Sequence, residues 1–371
     1  MPAESFIIRI DGEEVEGLYG DLIRLEIELS EEAPASFRLV LGTALQTDGS
    51  WKHLDDEHFR LWHEVAIDIG FDDAGPEEVL AGFITEMRPI FDPDPALCTF
   101  EVVGLDKSVQ MDREEHLKDW PNKKDSDIAS EILSSYGFIP NVTTTEVIHD
   151  EALSTVIQRE TDYQFLQRLA LRNGFGCFVE GDAATFGPVP VDPAPQPVLA
   201  AHFGDETTLR SFTTTVDGMR PAQVAMFQVD RFNKEVLTAT VEEATQDPLG
   251  DLPAADLLTG GIAPAKVYVA KNAATGSPEM EALCQGFFQE GAYFVEGAGE
   301  IDAMAYGHVL RPRRLVTIKG VGETYSGTYY VSFVRHAFTR GGYSQAFRVR
   351  RDGLMPTGDE DFAGGDGLFG F

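Results

Sequence analysis

Cysteine is scarce in this chain: three in 371 residues, at Cys98, Cys177 and Cys284, with no CxxC pair among them. So sparse and odd a set supports neither a disulfide framework nor a zinc site, and it fits a reducing compartment. Positive charge is also short, with 29 Lys and Arg against 62 Asp and Glu and a formal charge of −33. That balance disfavours direct binding to nucleic acid or to an anionic membrane surface, and it favours solubility. No run approaches the ~20 apolar residues that span a bilayer. The opening residues, MPAESFIIRIDGEE, lack a basic n-region and a long apolar h-region, so no signal peptide is expected. No GxSxG nucleophile elbow occurs, which removes the commonest serine-hydrolase signal. The tryptophans, Trp51, Trp62 and Trp120, are too scattered in sequence to read as the aromatic platform of a carbohydrate-binding module. What is present is 43% hydrophobic and 10% aromatic residues, enough for packed cores and incompatible with global disorder. At roughly 150 residues per domain, the length implies two or three domains.

Residues 1–106 alternate with period 2. Ile23, Leu25, Ile27 and Leu29 share one face while Arg24, Glu26 and Glu28 take the other; Phe37, Leu39 and Leu41, then Val65, Ile67 and Ile69, repeat the pattern. Half-buried antiparallel strands separated by turns such as Asp11-Gly12 and Asp48-Gly49 predict a sandwich or small barrel. Residues 107–187 read as an α/β module. A helix is predicted over 126–136, and a second opens at the T-x-x-Q box Thr161–Gln164, with Phe165, Leu166, Leu169 and Ala170 as its core face and Gly174 as its stop. Residues 188–199 are proline-rich and predict a semi-rigid linker. Strand texture returns over 200–352, with strands at 209–216, 222–232, 236–242, 313–319, 327–338 and 345–351. A loop and helix insert occupies about 243–300, its helix opening at Ser277-Pro278-Glu279. Residues 353–371 read as a flexible acidic, glycine-rich tail. The fold class is therefore mixed and β-rich (α+β).

Residues 311–351 hold nine Lys or Arg and one acid, Glu323, so this segment is strongly basic in an acidic chain. Two readings fit: a surface that engages an acidic neighbour, or pairs made within the chain. Arg311, Arg313, Arg314, Arg348, Arg350 and Arg351 are the candidate residues of such a surface. Other chemistry is weaker. His53, His58 and His63 recur in steps of five, which places them on alternating strand faces or about 140° apart on a helix, so exposed imidazoles are expected rather than a metal site. The glycines from Gly320 to Gly327 lack the GK[ST] ending of a phosphate loop and predict a hairpin connection. Acid pairs such as Asp92 and Asp94, or Glu101 and Asp106, are unavoidable with 62 carboxylates and single out no glycosidase pair. The acidic tail, Asp359, Glu360, Asp361 and Asp366, lacks calcium-loop spacing. No cofactor or metal is expected.

Two segments are more specific. The first contains Gln158, Glu160, Thr161, Asp162, Phe165, Leu166, Arg168, Leu169 and Ala170, followed by Gly174. It resembles the Q-x-E-[ST]-D-x-x-FL-x-RLA…G stretch of the phage late control D proteins and of the N-terminal part of the VgrG spike proteins. The second runs from Leu310 to His336 and contains Gly320-Val321-Gly322, Tyr325-Ser326-Gly327 and Tyr329-Tyr330-Val331. It is similar to the LRPG…V-x-I-x-GVG-x-x-[FY]SG-x-YYV-x-x-V-x-H ending of that family, with Arg313 where many relatives have glycine. The resemblance covers roughly residues 5–351.

It implies a non-enzymatic baseplate hub of a contractile tail or contractile injection system. Each chain would contribute two small β-barrel hub domains with an α/β insert and a helical insert. A homotrimer would then adapt a six-fold inner tube to a three-fold spike. Because the chain stops at Phe371 with no needle-like repeats, the spike is expected to be a separate protein. The inner tube protein and other baseplate proteins are the remaining partners, and assembly in the bacterial or archaeal cytoplasm is implied. The rival readings are an enzyme acting on cell-wall glycan and a carbohydrate-binding module.

Overall fold

The fold is that of a computed structural model, which describes residues 4–71, 75–152, 155–220, 223–230, 233–257, 265–270, 274 and 276–362. The period-2 segments become strands, and most of them join a single 13-stranded sheet. Its path starts at the edge strand Leu209–Val216 and passes through Val295–Asp302, Gly342–Arg351 and Gly327–Thr339. It then enters the N-terminal half through Leu22–Ser30 and continues through Ser36–Gly42, Thr99–Asp106, Glu77–Ile90, Glu64–Phe71 and Glu4–Ile10. The crossing is an antiparallel ladder that pairs Phe333 with Ser30 and Thr339 with Arg24. The resemblance implies two barrels side by side; the structure instead runs one ladder through both strand-rich halves. Among the described residues no strand pairing closes either half on itself.

Two cores lie on this sheet, and alternation assigns residues to each. Leu25, Ile27, Phe37, Leu39, Leu41, Val65, Ile67 and Ile69 fill the first, together with Phe338 and Tyr343 from the far end of the chain. Ile23 departs from its predicted face and is 37% exposed, because the ladder to Ser36–Gly42 shifts register between Leu22 and Arg24. The second core holds Leu199, Ile301, Val316, Ile318, Tyr329, Val331, Val334, Phe347 and Val349. The strand Gly327–Thr339 serves both. It carries a register shift between Val331 and Phe333; Val331 and Val334 on either side of it belong to the second core, and Phe338 near the strand's end reaches the first.

The α/β insert packs the helices Asp125–Ser135 and Asp162–Asn173 over a three-stranded sheet of Gly176–Glu180, Ala183–Gly187 and Ile139–Val142. Phe165, Leu166 and Leu169 are completely buried in its core, as their helical spacing predicts. Thr161 caps the helix by accepting from the Gln164 amide at 3.3 Å, and Gly174 ends it in the left-handed conformation. The second insert is larger than its composition indicates. Gln223–Val229 and Val236–Val241 leave the main sheet and, with Lys266–Tyr268, form a separate three-stranded sheet under the helix Ser277–Ala292. The predicted ends of the first of these strands, residues 222, 231 and 232, lie outside the described residues.

The proline-rich segment ends in a strand, Gln196–Ala200, which pairs in parallel with Leu315–Lys319 alone, an edge position that Pro197 tolerates. Gly320 to Gly327 link Leu315–Lys319 to Gly327–Thr339 as the predicted antiparallel connection. Of the expected tail, Gly353–Leu354 pairs with Leu252–Pro253, and Glu360 accepts from the amides of Thr357 and Gly358 at 2.9 Å each. Residues 363–371, including Asp366, lie outside the described residues.

Candidate assembly interface

The six candidate arginines do not form one exposed patch. Arg311 crosses to the N-terminal half, pairing with Glu77 at 2.8 Å and donating to the Glu78 carbonyl at 2.6 Å. Arg313 is buried, donates to the Ser30 carbonyl, lies 4.1 Å above the Phe178 ring and is within 4.0 Å of Glu180. Its φ of 61° is left-handed, the conformation glycine adopts most easily, so this chain places an arginine in a glycine-type turn and uses the side chain to bind three parts of the molecule together. Arg350 pairs with Glu31 at 2.9 Å and Glu290 at 3.1 Å while stacking over Tyr293 and Tyr330. Arg351 is fully buried and donates to the carbonyls of Leu249, Ser326 and Met355. Only Arg348 is exposed, over the Phe333 ring at 5.0 Å, and Arg314 is half-buried with no acidic partner among the described residues. Sequence charge alone could not separate these fates, since four of the six arginines, Arg311, Arg313, Arg350 and Arg351, take partners far away in sequence. The exposed cations of the segment are Arg335, Arg340 and Arg348.

The two inserts lock together at a buried charged cluster that sequence reading missed. Asp125 accepts from Arg172 Nε and Asn173 Nδ2 at 2.7 Å each and lies 3.0 Å from His149 Nε2. Glu279, from the other insert, comes within 3.7 Å of Arg172 and 3.8 Å of His149. Burial alone would raise the Asp125 carboxyl, but the bonds from His149, Arg172 and Asn173 outweigh it and hold the value at about 2. Beside the cluster the helices Asp162–Asn173 and Ser277–Ala292 meet at Gly286, where a Cβ would sit 2.7 Å from the Leu171 carbonyl oxygen. The sequence signal was faint: Glu279 reads as an ordinary first-turn acid, and only its contact with a helix more than a hundred residues away gives it a role.

Several polar residues of the two segments also serve the interior. Gln158 is fully buried, accepting from Trp120 Nε1 at 3.2 Å and donating to Asp162 at 2.7 Å, and Asp162 in turn accepts from the Tyr136 hydroxyl at 2.8 Å. His336 is fully buried with Nδ1 2.8 Å from the Tyr343 hydroxyl, and burial with the nearby Arg311 charge pushes it down to about 3. His58 and His63 pair separately with Asp56 and Asp11. His53 departs from the exposed imidazole expected: it is buried and bonded to Asp21 at 2.8 Å. Among the described residues no three His, Cys, Asp or Glu side chains are placed to hold a metal. All three cysteines are buried, and burial pushes the Cys177 thiol up to about 12, so it is no nucleophile near neutral pH. No helix among the described residues is long and apolar enough to cross a membrane.

The fold is that of tail proteins, which bears out the resemblance seen in the two segments. The 43 kDa tail protein of prophage MuSo2 from Shewanella oneidensis superposes with a TM-score of 0.71 at 14% identity, over 95% of this chain and 100% of that one. A tail protein from Neisseria meningitidis MC58 gives 0.67 at 13% identity, over 95% and 98%. The E. coli c3393 protein, a component of the type VI secretion system, gives 0.55 at 12% identity, over 93% and 76%. No curated protein matches the chain in sequence. A family model, described as the Alg8 N-terminal domain, matches residues 3–340. The chain belongs to that family.

Proposed function

We propose that this protein is a structural hub of a contractile tail or contractile injection system, and that it connects the inner tube to the spike without catalysing a reaction. The observation that carries the reading is the end-to-end likeness to tail proteins, which takes in both strand-rich halves and both inserts. The interior use of polar residues supports it: Gln158, Asp162, Arg350 and His336 bond to the chain itself and do not converge on one reactive site. In the proposed assembly three copies surround one axis, so that six strand-rich halves meet a six-fold tube on one side and a three-fold spike on the other. The spike, the tube protein and other baseplate proteins are its partners, and the particle assembles in the bacterial or archaeal cytoplasm.

Closure by a repeated head-to-tail contact is the symmetry solution for such a ring. Any electrostatic share of that contact would now rest on Arg335, Arg340 and Arg348, since Arg311, Arg313, Arg350 and Arg351 bind within the chain. Each exposed pair contributes about 0–1 kcal/mol, so the three act only together. Reversing all three to Glu is expected to make assembly strongly salt-dependent, whereas unchanged assembly from low to high salt would remove this electrostatic contribution. The hub reading itself is tested by imaging the assembled particle: three copies between tube and spike are expected, and six copies, one copy or a different location would refute it. Loss of turbidity from bacterial cell walls on adding purified protein would favour the glycan-acting reading instead.

A further inference from the structure

The two ends of the 13-stranded sheet are finished differently. At the N-terminal end Glu4–Ile10 is largely covered. Ile10 pairs with Glu13, the Ile8 amide donates to the Tyr19 hydroxyl at 3.1 Å, and the Ile8 carbonyl accepts from Val15 at 3.2 Å. Ile8 and Ile10 thus direct their main chain outward, and alternation places Glu4 and Phe6 on the same outer side. There the edge opens onto a groove of about 490 Å³ lined by Ser5, Phe6, Tyr19, Ile23, Phe338 and Arg340. At the other end Leu209–Val216 pairs with Val295–Asp302 and, among the described residues, with no other strand. The Asp217 amide donates to Phe294 at 2.8 Å, which fixes the alternation: Ser211, Thr213 and Thr215 face the inner neighbour. The outward main-chain groups are therefore those of Phe212, Thr214 and Val216. Beyond the register shift between Leu209 and Ser211, the 211–216 stretch of this edge is little protected, since it carries no proline and no further bulge, and the strand's single charge, Arg210, is turned toward Glu300 and Asp302.

We propose that Leu209–Val216 is a strand-accepting edge, completed in the particle by the Glu4–Phe6 end of the sheet in a second copy of this chain. The inference rests on the trimeric hub reading and adds the contact that builds it. Both open edges are ends of the same sheet and are unlike each other. Joining them head to tail sets the C-terminal half of one copy against the N-terminal half of the next and extends the ladder across the boundary. A like-with-like pairing of two Leu209–Val216 edges would give a two-fold dimer and leave no route to a ring of three.

Thr214→Pro removes one outward amide while leaving the inward ladder in place, and Thr214→Val keeps that amide as a control. Trimer formation in particles is expected to weaken about tenfold for the proline variant and to stay unchanged for the valine variant. In parallel, Ser5→Cys with Thr214→Cys is treated with a short bis-maleimide, the native cysteines being buried. A ladder of crosslinked dimers and trimers on a denaturing gel is expected. A trimeric hub with no 5–214 crosslink, with crosslinks to another polypeptide, or with crosslinks only inside one copy overturns this inference and leaves the hub reading standing. A particle without three copies at this position sinks the hub reading itself. If Thr214→Pro fails to fold, the cysteine pair decides alone.

Discussion

His336 and Asp125 are two buried side chains whose protons report on folding. His336 titrates near 3 in the folded chain against 6.5 in an unfolded one. Below pH 6.5 the unfolded chain takes up the proton that the folded chain refuses, so stability falls as pH drops from 6.5 toward 3, by up to about 1.4 kcal/mol per pH unit. Asp125 adds a second loss at lower pH, because its value of about 2 lies below the 3.8 of a free carboxyl, and its stabilisation disappears as pH falls through that range. Replacing His336 with Asn is expected to lower stability at pH 8 yet flatten its dependence between pH 6.5 and 4.5. Urea midpoints across that range provide the check, and parallel slopes for the two proteins would show that His336 is not the responsible group.

At the scale of elements, the helix Asp162–Asn173 holds the α/β insert together and also docks the second insert. Leu166→Ala is expected to cost about 2–5 kcal/mol, since the side chain is completely buried. Gly286→Ala acts differently: the added methyl meets the Leu171 carbonyl and should cost about 1–3 kcal/mol by forcing the two helices apart. Denaturation midpoints separate the two cases, and a neutral Gly286→Ala would mean that the inserts yield at their contact. These elements were well marked in sequence. The 3.6-residue spacing of Phe165, Leu166 and Leu169, the Thr161 cap and the Gly174 stop all carry local signals, as do the alternating runs at Phe37–Leu41 positions and around Ile67. What sequence reading lost was pairing. Gln223–Val229 has the same texture as a strand of the main sheet, and no local feature says that it pairs with Lys266–Tyr268 instead. The arginines failed for the same reason, because the choice between a free surface and an internal partner lies with Glu77, Glu31 and the Ser30 carbonyl, all brought close only by the finished fold.

At the scale of the whole molecule, the ladder between Gly327–Thr339 and Leu22–Ser30 makes the strand-rich halves mutually dependent. Residues 1–200 expressed alone would lack Phe338 and Tyr343 from their core and would expose a bare strand at Leu22–Ser30. The α/β insert in that fragment has its own core, but no cooperative transition of the N-terminal sheet itself, read by amide exchange at Leu25, Ile27, Ile67 and Ile69, is expected until residues 200–371 are added. Cooperative protection of those amides in the isolated fragment would show that the halves are autonomous. The same ladder sets a clock on biosynthesis. A ribosome adding roughly 5–20 residues per second takes about 15–60 s to travel the ~300 residues between the two paired strands. Throughout that interval the nascent N-terminal half waits with Leu22–Ser30 unpaired on that side, and the acidic excess of the chain is expected to oppose edge-to-edge association of neighbouring nascent chains until the partner strand emerges.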